Sequence, residues 1–144
     1  MIVASTAVAA TAKPSPKAAF SARVLAIGTQ AQHALLALPS ETASNPTDAA
    51  VTAAQLQAIY QRVARRMAAL TPPKEIEADF KILVASYLAV ARDAGAWRDA
   101  ILHGTAQQAA DAAHELYLNP ESDRAGNAMA RISVKGYYFG TFFH

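Results

Sequence analysis

The acidic residues and histidines are the side chains that could ligate a metal or transfer protons in catalysis. Their spacing in the sequence matches no catalytic motif. Asp99 and His103 lie four residues apart, and Asp111 and His114 lie three apart. On helices such pairs share a face, as in half of a di-metal carboxylate bundle, but that site needs two Glu-x-x-His pairs and two further inward Glu residues. The sequence also has no His-Glu-x-x-His, no Gly-rich phosphate loop and no nucleophile elbow. We therefore expect no catalytic residue, no metal and no cofactor, and we predict that the protein is not an enzyme.

Composition excludes further classes of protein. The 144 residues include no cysteine, which excludes disulfide frameworks, thiolate zinc sites and iron–sulfur clusters. The formal net charge of +2 is too small to indicate a nucleic-acid partner. Hydrophobic residues make up 53% of the chain and charged residues 17%, so the composition is that of a protein with a packed core.

A short basic group, Arg62, Arg65 and Arg66, is the first candidate for partner binding. At about 3.6 residues per turn, Arg65 lies opposite an apolar stripe that contains Val63 and Met67, and the other two arginines flank it. A solvated helix face has this pattern. The alternative is a surface that grips phosphate or an acidic partner.

The second candidate for partner binding is the C-terminal segment. Five of the eleven aromatic residues lie in the last eight positions: Tyr137, Tyr138, Phe139, Phe142 and Phe143. Gly136 and Gly140 interrupt any helix there, so the rings follow no regular stripe. They could fold back as a small additional core, dock on a membrane surface, or anchor a protein partner, since Tyr and Phe are suited to interfaces. We predict the last of these.

Helix start and stop signals predict five helices. Three N-cap residues directly precede proline, in Ser15-Pro16, Thr71-Pro72 and Asn119-Pro120, and two Thr-x-x-Gln capping boxes begin at Thr52 and Thr105. The predicted helices cover 16–38, 52–70, 72–103, 105–118 and 120–136, with one long loop over 39–51. Because the connections are short, the sequence predicts an all-α, up-down four-helix bundle with an extra short helix.

The helix predicted over 72–103 has the clearest pattern. Its apolar residues alternate steps of four and three: Ile76, Phe80, Leu83, Tyr87, Val90, Ala94, Trp97 and Ile101. Further apolar positions widen this stripe to about half of the circumference, so this helix should lie at the centre of the bundle. A pocket between it and the preceding helix, around Tyr60, Tyr87 and Trp97, is the basis of an alternative function, the binding of a small apolar ligand.

The N-terminal residues differ in composition from the rest. Residues 1–12 carry no charge and contain two small-x-small sequences that fit a signal cleavage site, so they are either a signal remnant or an arm that lies on a partner. We divide the chain into this arm (1–14), a helical bundle (15–136) and an aromatic tail (137–144). No window approaches the roughly 18 apolar residues of a membrane span.

Two stretches resemble known proteins. The Leu70-Thr-Pro-Pro73 turn before a long helix resembles a turn of Ala-rich exported bundle proteins of high-GC bacteria. The Lys13-Pro-Ser-Pro-Lys17 segment is similar to the N-terminal arm of PsbQ-like extrinsic subunits of photosynthetic complexes. The resemblance implies a helical bundle located in a periplasm, a thylakoid-type lumen or an organelle, peripheral to a membrane. We predict a non-catalytic accessory subunit of a membrane-associated complex, docked on other proteins through both ends of the chain.

Overall fold

The computed structural model describes residues 12–39 and 45–143, and every regular element within these ranges is helical. Most of the predicted N-terminal arm, part of the predicted loop and His144 lie outside the described residues. The elements are α1 (Pro16–Leu36), α2 (Pro46–Ala68), a 3₁₀ turn (Lys74–Ile76), α3 (Glu77–His103), α4 (Ala106–Tyr117) and α5 (Glu121–Val134). The predicted all-α bundle is confirmed.

Two of the predicted helix starts have the expected cap geometry. The Ser15 hydroxyl accepts a hydrogen bond from the Ala18 amide at 3.2 Å, and Pro16 occupies the first helical position of α1. At α4 the Gln108 amide donates to the Thr105 hydroxyl at 3.2 Å, and the Thr105 amide donates to the Gln108 side chain at 2.8 Å. Both caps satisfy amides that a helix N-terminus otherwise leaves without partners.

Two other predicted starts are wrong. Helix α2 begins at Pro46 and not at 52, because the Asn45 side chain accepts from the Asp48 amide at 2.9 Å and Pro46 fits the first helical position. Thr52 therefore lies inside the helix. The third helix begins at Glu77 and not at 72, because the residue before a proline is held in an extended conformation and Pro73 itself is extended at ψ 141°.

Helix α3 lies at the centre of the bundle, packed against α2, α4 and α5, while α1 packs against α2. Gln57 of α2 contacts Gly95 of α3, and further along α2 the Tyr60 ring stacks on Tyr87. Because residue numbers rise along one helix as they fall along the other, α2 and α3 are antiparallel. The short connection through the 3₁₀ turn requires this arrangement.

Two polar contacts fix α5 antiparallel to α3. Near the start of α3, Asp79 accepts a hydrogen bond from Arg131 at 2.8 Å, and further along, Asp93 accepts one from Asn119 at 2.6 Å. Asp79 and Asn119 are buried, so each of these bonds satisfies a polar group inside the protein. Helix α4 contributes no buried residue, which leaves part of α3 incompletely covered.

Candidate functional site

The aromatic tail is part of the core. Tyr137, Phe139 and Phe143 are only 3%, 0% and 2% exposed. The Phe139 ring lies 6.0 Å from the Phe20 ring and 6.2 Å from the Phe80 ring, the latter nearly edge to face. The prediction that these three rings form a docking surface is corrected by this packing, because a ring enclosed by the chain's own helices has no surface left for a partner.

The start of the tail is held by a turn and by a polar cluster. Gly136 has a φ of +85°, in the left-handed region that favours glycine, and ends α5. The Tyr137 hydroxyl then donates to Glu75 at 2.6 Å, and Lys17 lies 3.1 Å from the same carboxylate. Burial and this hydrogen bond raise the pKa of Tyr137 to about 12, while the same bond and that from Lys17 lower the pKa of Glu75.

The end of the tail inserts against α1. A Cβ on Gly28 would lie 2.7 Å from the Phe143 ring, too close unless the ring shifts, and 3.1 Å from Phe142, which is a tight contact. Glycine at this buried position of α1 therefore makes room for the Phe143 ring. Gly140, with a φ of +80°, provides the turn that brings the last two rings back to the bundle.

The remaining partner-binding candidates are accessible. Tyr138 is 63% exposed, and its amide donates to the Ser21 hydroxyl at 3.2 Å. Arg62, Arg65 and Arg66 are exposed, and Arg66 donates a hydrogen bond to Gln30 of α1. None of the three forms an ion pair with a carboxylate of the described residues. Partner binding through these four side chains stays a prediction.

A groove of about 1080 Å³ runs along one side of α3. Helix α2 forms one wall, the start of α5 with the end of α4 forms the other, and the tail closes one end. Its volume is at the upper limit of the roughly 300–1000 Å³ that is typical of small-molecule sites. We call it the aromatic groove.

Three rings from three different segments line its closed end. Tyr60 and Tyr87 stack with an interplanar angle of 8° and a centroid separation of 6.1 Å. Phe142 of the tail stacks with Tyr87 at 5.9 Å and with Tyr60 at 6.5 Å, and the Phe143 ring meets Tyr87 edge to face. Three rings in nearly parallel planes thus line the closed end, and this aromatic lining suits a planar apolar group.

The groove continues from these rings along both helices. On α2 its wall passes through Leu56 and Thr52 to Asp48, twelve residues before Tyr60 and thus about 18 Å away. On α3 it reaches Trp97, ten residues beyond Tyr87 and thus about 15 Å away. An elongated molecule matches this shape.

Tyr60 and Tyr87 carry two of the hydroxyl groups that line the groove. No hydrogen bond joins the hydroxyl of Tyr60 or Tyr87 to any other described residue. No polar side-chain atom of the described residues is buried without a partner. Burial raises the pKa of both tyrosines, and both therefore stay neutral at physiological pH. Each hydroxyl can donate to or accept from a ligand.

The three residues of the predicted pocket, Tyr60, Tyr87 and Trp97, all line this groove. The sequence analysis missed Phe142 as a lining residue because it treated the tail as a docking element. It also missed Glu121, which α5 brings to the opposite wall. No local sequence pattern indicates that Phe142 or Glu121 lines the groove, because the placement of the tail and of α5 depends on how the helices assemble.

Comparisons with protein families, curated proteins and solved structures find no match to this chain. The resemblance to exported and PsbQ-like bundles therefore stays a prediction. Within residues 12–39 and 45–143, no three His, Asp or Glu side chains converge as metal ligands would. No helix in the same ranges combines the length and apolar character needed to cross a membrane.

Proposed function

We propose that the protein binds a small, planar apolar ligand in the aromatic groove. The observation that carries the proposal is the stack of Tyr60, Tyr87 and Phe142 at the closed end of an open groove of about 1080 Å³. An open groove lined by aromatic rings is an apolar surface that a ligand of matching chemistry would cover.

Physical chemistry supports this use of the groove. Apolar surface removed from water contributes about 25 cal/mol per Å², and offset stacking on aromatic rings adds about 0.5–1.5 kcal/mol for each pair. The floor consists of residues of the two most extensively packed helices, α2 and α3. The rings are thus positioned before the ligand arrives, which reduces the entropy cost of binding.

The test is a titration with N-phenyl-1-naphthylamine, a neutral fluorophore that brightens in apolar sites. The variant Ser122→Phe places a ring inside the groove on α5, and the matched control Ser133→Phe makes the same change at an exposed position of that helix away from the groove. We expect saturable binding to the wild type and the control, and about tenfold weaker binding to Ser122→Phe, a difference of about 1.4 kcal/mol. Absence of saturable binding, or equal binding by both variants, would overturn the proposal.

A second candidate function is the predicted non-catalytic accessory subunit of a membrane-associated complex outside the cytoplasm or in an organelle. It is favoured by the exposed arginines at 62, 65 and 66, which lack acidic partners among the described residues. An acidic protein surface would complement them and form charge-assisted hydrogen bonds. The native mass in a gentle extract of the source tests it, since a monomer of 15 kDa there would contradict it.

A further inference from the structure

The charged residues that line the aromatic groove are all acidic. They are Asp48 at the start of α2 and Glu121 at the start of α5, and no Lys, Arg or His lines the groove within the described residues. We propose that the ligand is a cation, an elongated amphiphile with an aromatic or apolar body and an amine group. This proposal rests on the proposed function and adds to it the charge of the ligand.

The carboxylate of Asp48 has no cationic partner. It accepts a hydrogen bond from the neutral Asn45 side chain at 2.8 Å, and no described basic group lies within ion-pair distance. The N-terminal end of α2 stabilises the negative charge without removing it. An ammonium group in the groove would supply the missing counter-ion.

Glu121 is only partly neutralised. Its carboxylate lies 2.8 Å from Arg124 on the next turn of α5, and the Arg124 side chain is 70% exposed. A pair with one partner this exposed contributes little to stability. A ligand ammonium can therefore bind Glu121 beside or in place of Arg124 at small cost.

The aromatic residues would hold the apolar body of the ligand and not its charge. The ring stack of Tyr60, Tyr87 and Phe142 lies about 18 Å from Asp48 along α2, beyond the roughly 6 Å reach of a cation–π contact with an ammonium bound there. The tyrosine hydroxyls, neutral at physiological pH, add hydrogen-bond acceptors. An anion would find no basic side chain among the described residues that line the groove, so its acidic walls select against negative charge.

The distances within the groove define the shape of the ligand. Asp48 lies about 18 Å from Tyr60 along α2, at the opposite end of the groove from the ring stack. A ligand whose rings lie at the closed end, and whose amine is on a flexible chain directed toward the acidic residues, contacts both the ring stack and the carboxylates. A compact cation would contact only one of them.

The experiment uses three fluorescent probes that share a dansyl group and an alkyl chain of similar length. Dansylcadaverine ends in an ammonium group, N-acetyl-dansylcadaverine is neutral, and dansyl-aminohexanoate ends in a carboxylate. We expect the cationic probe to bind about tenfold more tightly than the neutral one in low salt, with a preference that decreases as salt screens the charges. We expect the anionic probe to bind most weakly.

Variants then assign the preference to the groove. The double variant Asp48→Asn/Glu121→Gln should bind the cationic and neutral probes with equal affinity. The matched control Asp111→Asn/Glu115→Gln removes two exposed acidic residues of α4 outside the groove and should keep the preference. Neutral binding without a cationic preference, or a preference that survives the groove variant, overturns this inference alone. Absence of binding by all three probes overturns the proposed function as well.

Discussion

Replacement of Phe143 by alanine tests whether the tail is part of the core. The ring is 2% exposed and contacts Tyr87, Phe139 and Phe142 at centroid separations of 5.5, 6.3 and 5.0 Å. Loss of a buried phenylalanine ring costs about 3–5 kcal/mol. Because Phe143 also borders the groove, water can enter the space that it leaves, and we expect the lower end, about 3 kcal/mol. For a domain of this size that lowers Tm by about 6–12 °C.

The assay is thermal or urea unfolding followed by far-UV circular dichroism, with Tyr138→Ala as the matched control. Tyr138 belongs to the same tail but is 63% exposed, so its loss should change the free energy of unfolding by no more than about 0.5 kcal/mol. The packing described above is refuted if Phe143→Ala unfolds at the wild-type temperature, or if Tyr138→Ala is as destabilised as Phe143→Ala.

Two further predictions concern the glycines and the tyrosines. Gly28→Ala should lower Tm, because overpacking against Phe143 costs about 1–3 kcal/mol. Gly126→Ala is the matched control: its new Cβ has no atom within 4 Å, so the higher helix propensity of alanine should stabilise the protein by about 1 kcal/mol. In a Phe143→Ala background Gly28→Ala should destabilise less, since only the contact with Phe142 at 3.1 Å remains, and an undiminished loss there would contradict the assigned contact. The pKa of Tyr137 is raised to about 12 in the folded protein, so folding favours the protonated phenol. The contribution of Tyr137 to the free energy of unfolding is therefore present below pH 10 and is lost as pH rises from about 10 to 12. Tyr137→Phe should lose less stability over that range in unfolding measured against pH, and an unchanged alkaline profile would count against this assignment.

The helices were largely predictable because their signals are local. The seam of α3 follows from residue spacing, and the Thr105 capping box lies within four residues of sequence. The start of α2 was misplaced because Thr52 and Gln55 have the spacing of a capping box, whereas the earlier Asn45-Pro46 pair caps the helix. Local signals therefore identified the helices but did not choose between competing caps.

The site was predicted only in part. Tyr60 and Tyr87 lie on apolar stripes of neighbouring helices, so periodicity could place them together. Which face of the tail turns inward has no such signal, because Gly136 and Gly140 remove the helical periodicity that would indicate it. The burial of Phe139 depends on a space beside Phe20 and Phe80 that exists only after three distant segments have assembled.

The contact between Phe20 and Phe139 has a consequence for the rate of folding. The two rings lie 6.0 Å apart in space but 119 positions apart in sequence. Helical bundles fold quickly because most of their contacts are between residues near each other in the chain, and pairings over long separations are slower to form. During synthesis the five helices emerge before residue 139 does, so Phe20 and Phe80 lack that neighbour until the tail has been made. A bundle formed before the tail is made would expose apolar surface at this position, and we expect the tail to dock late in folding.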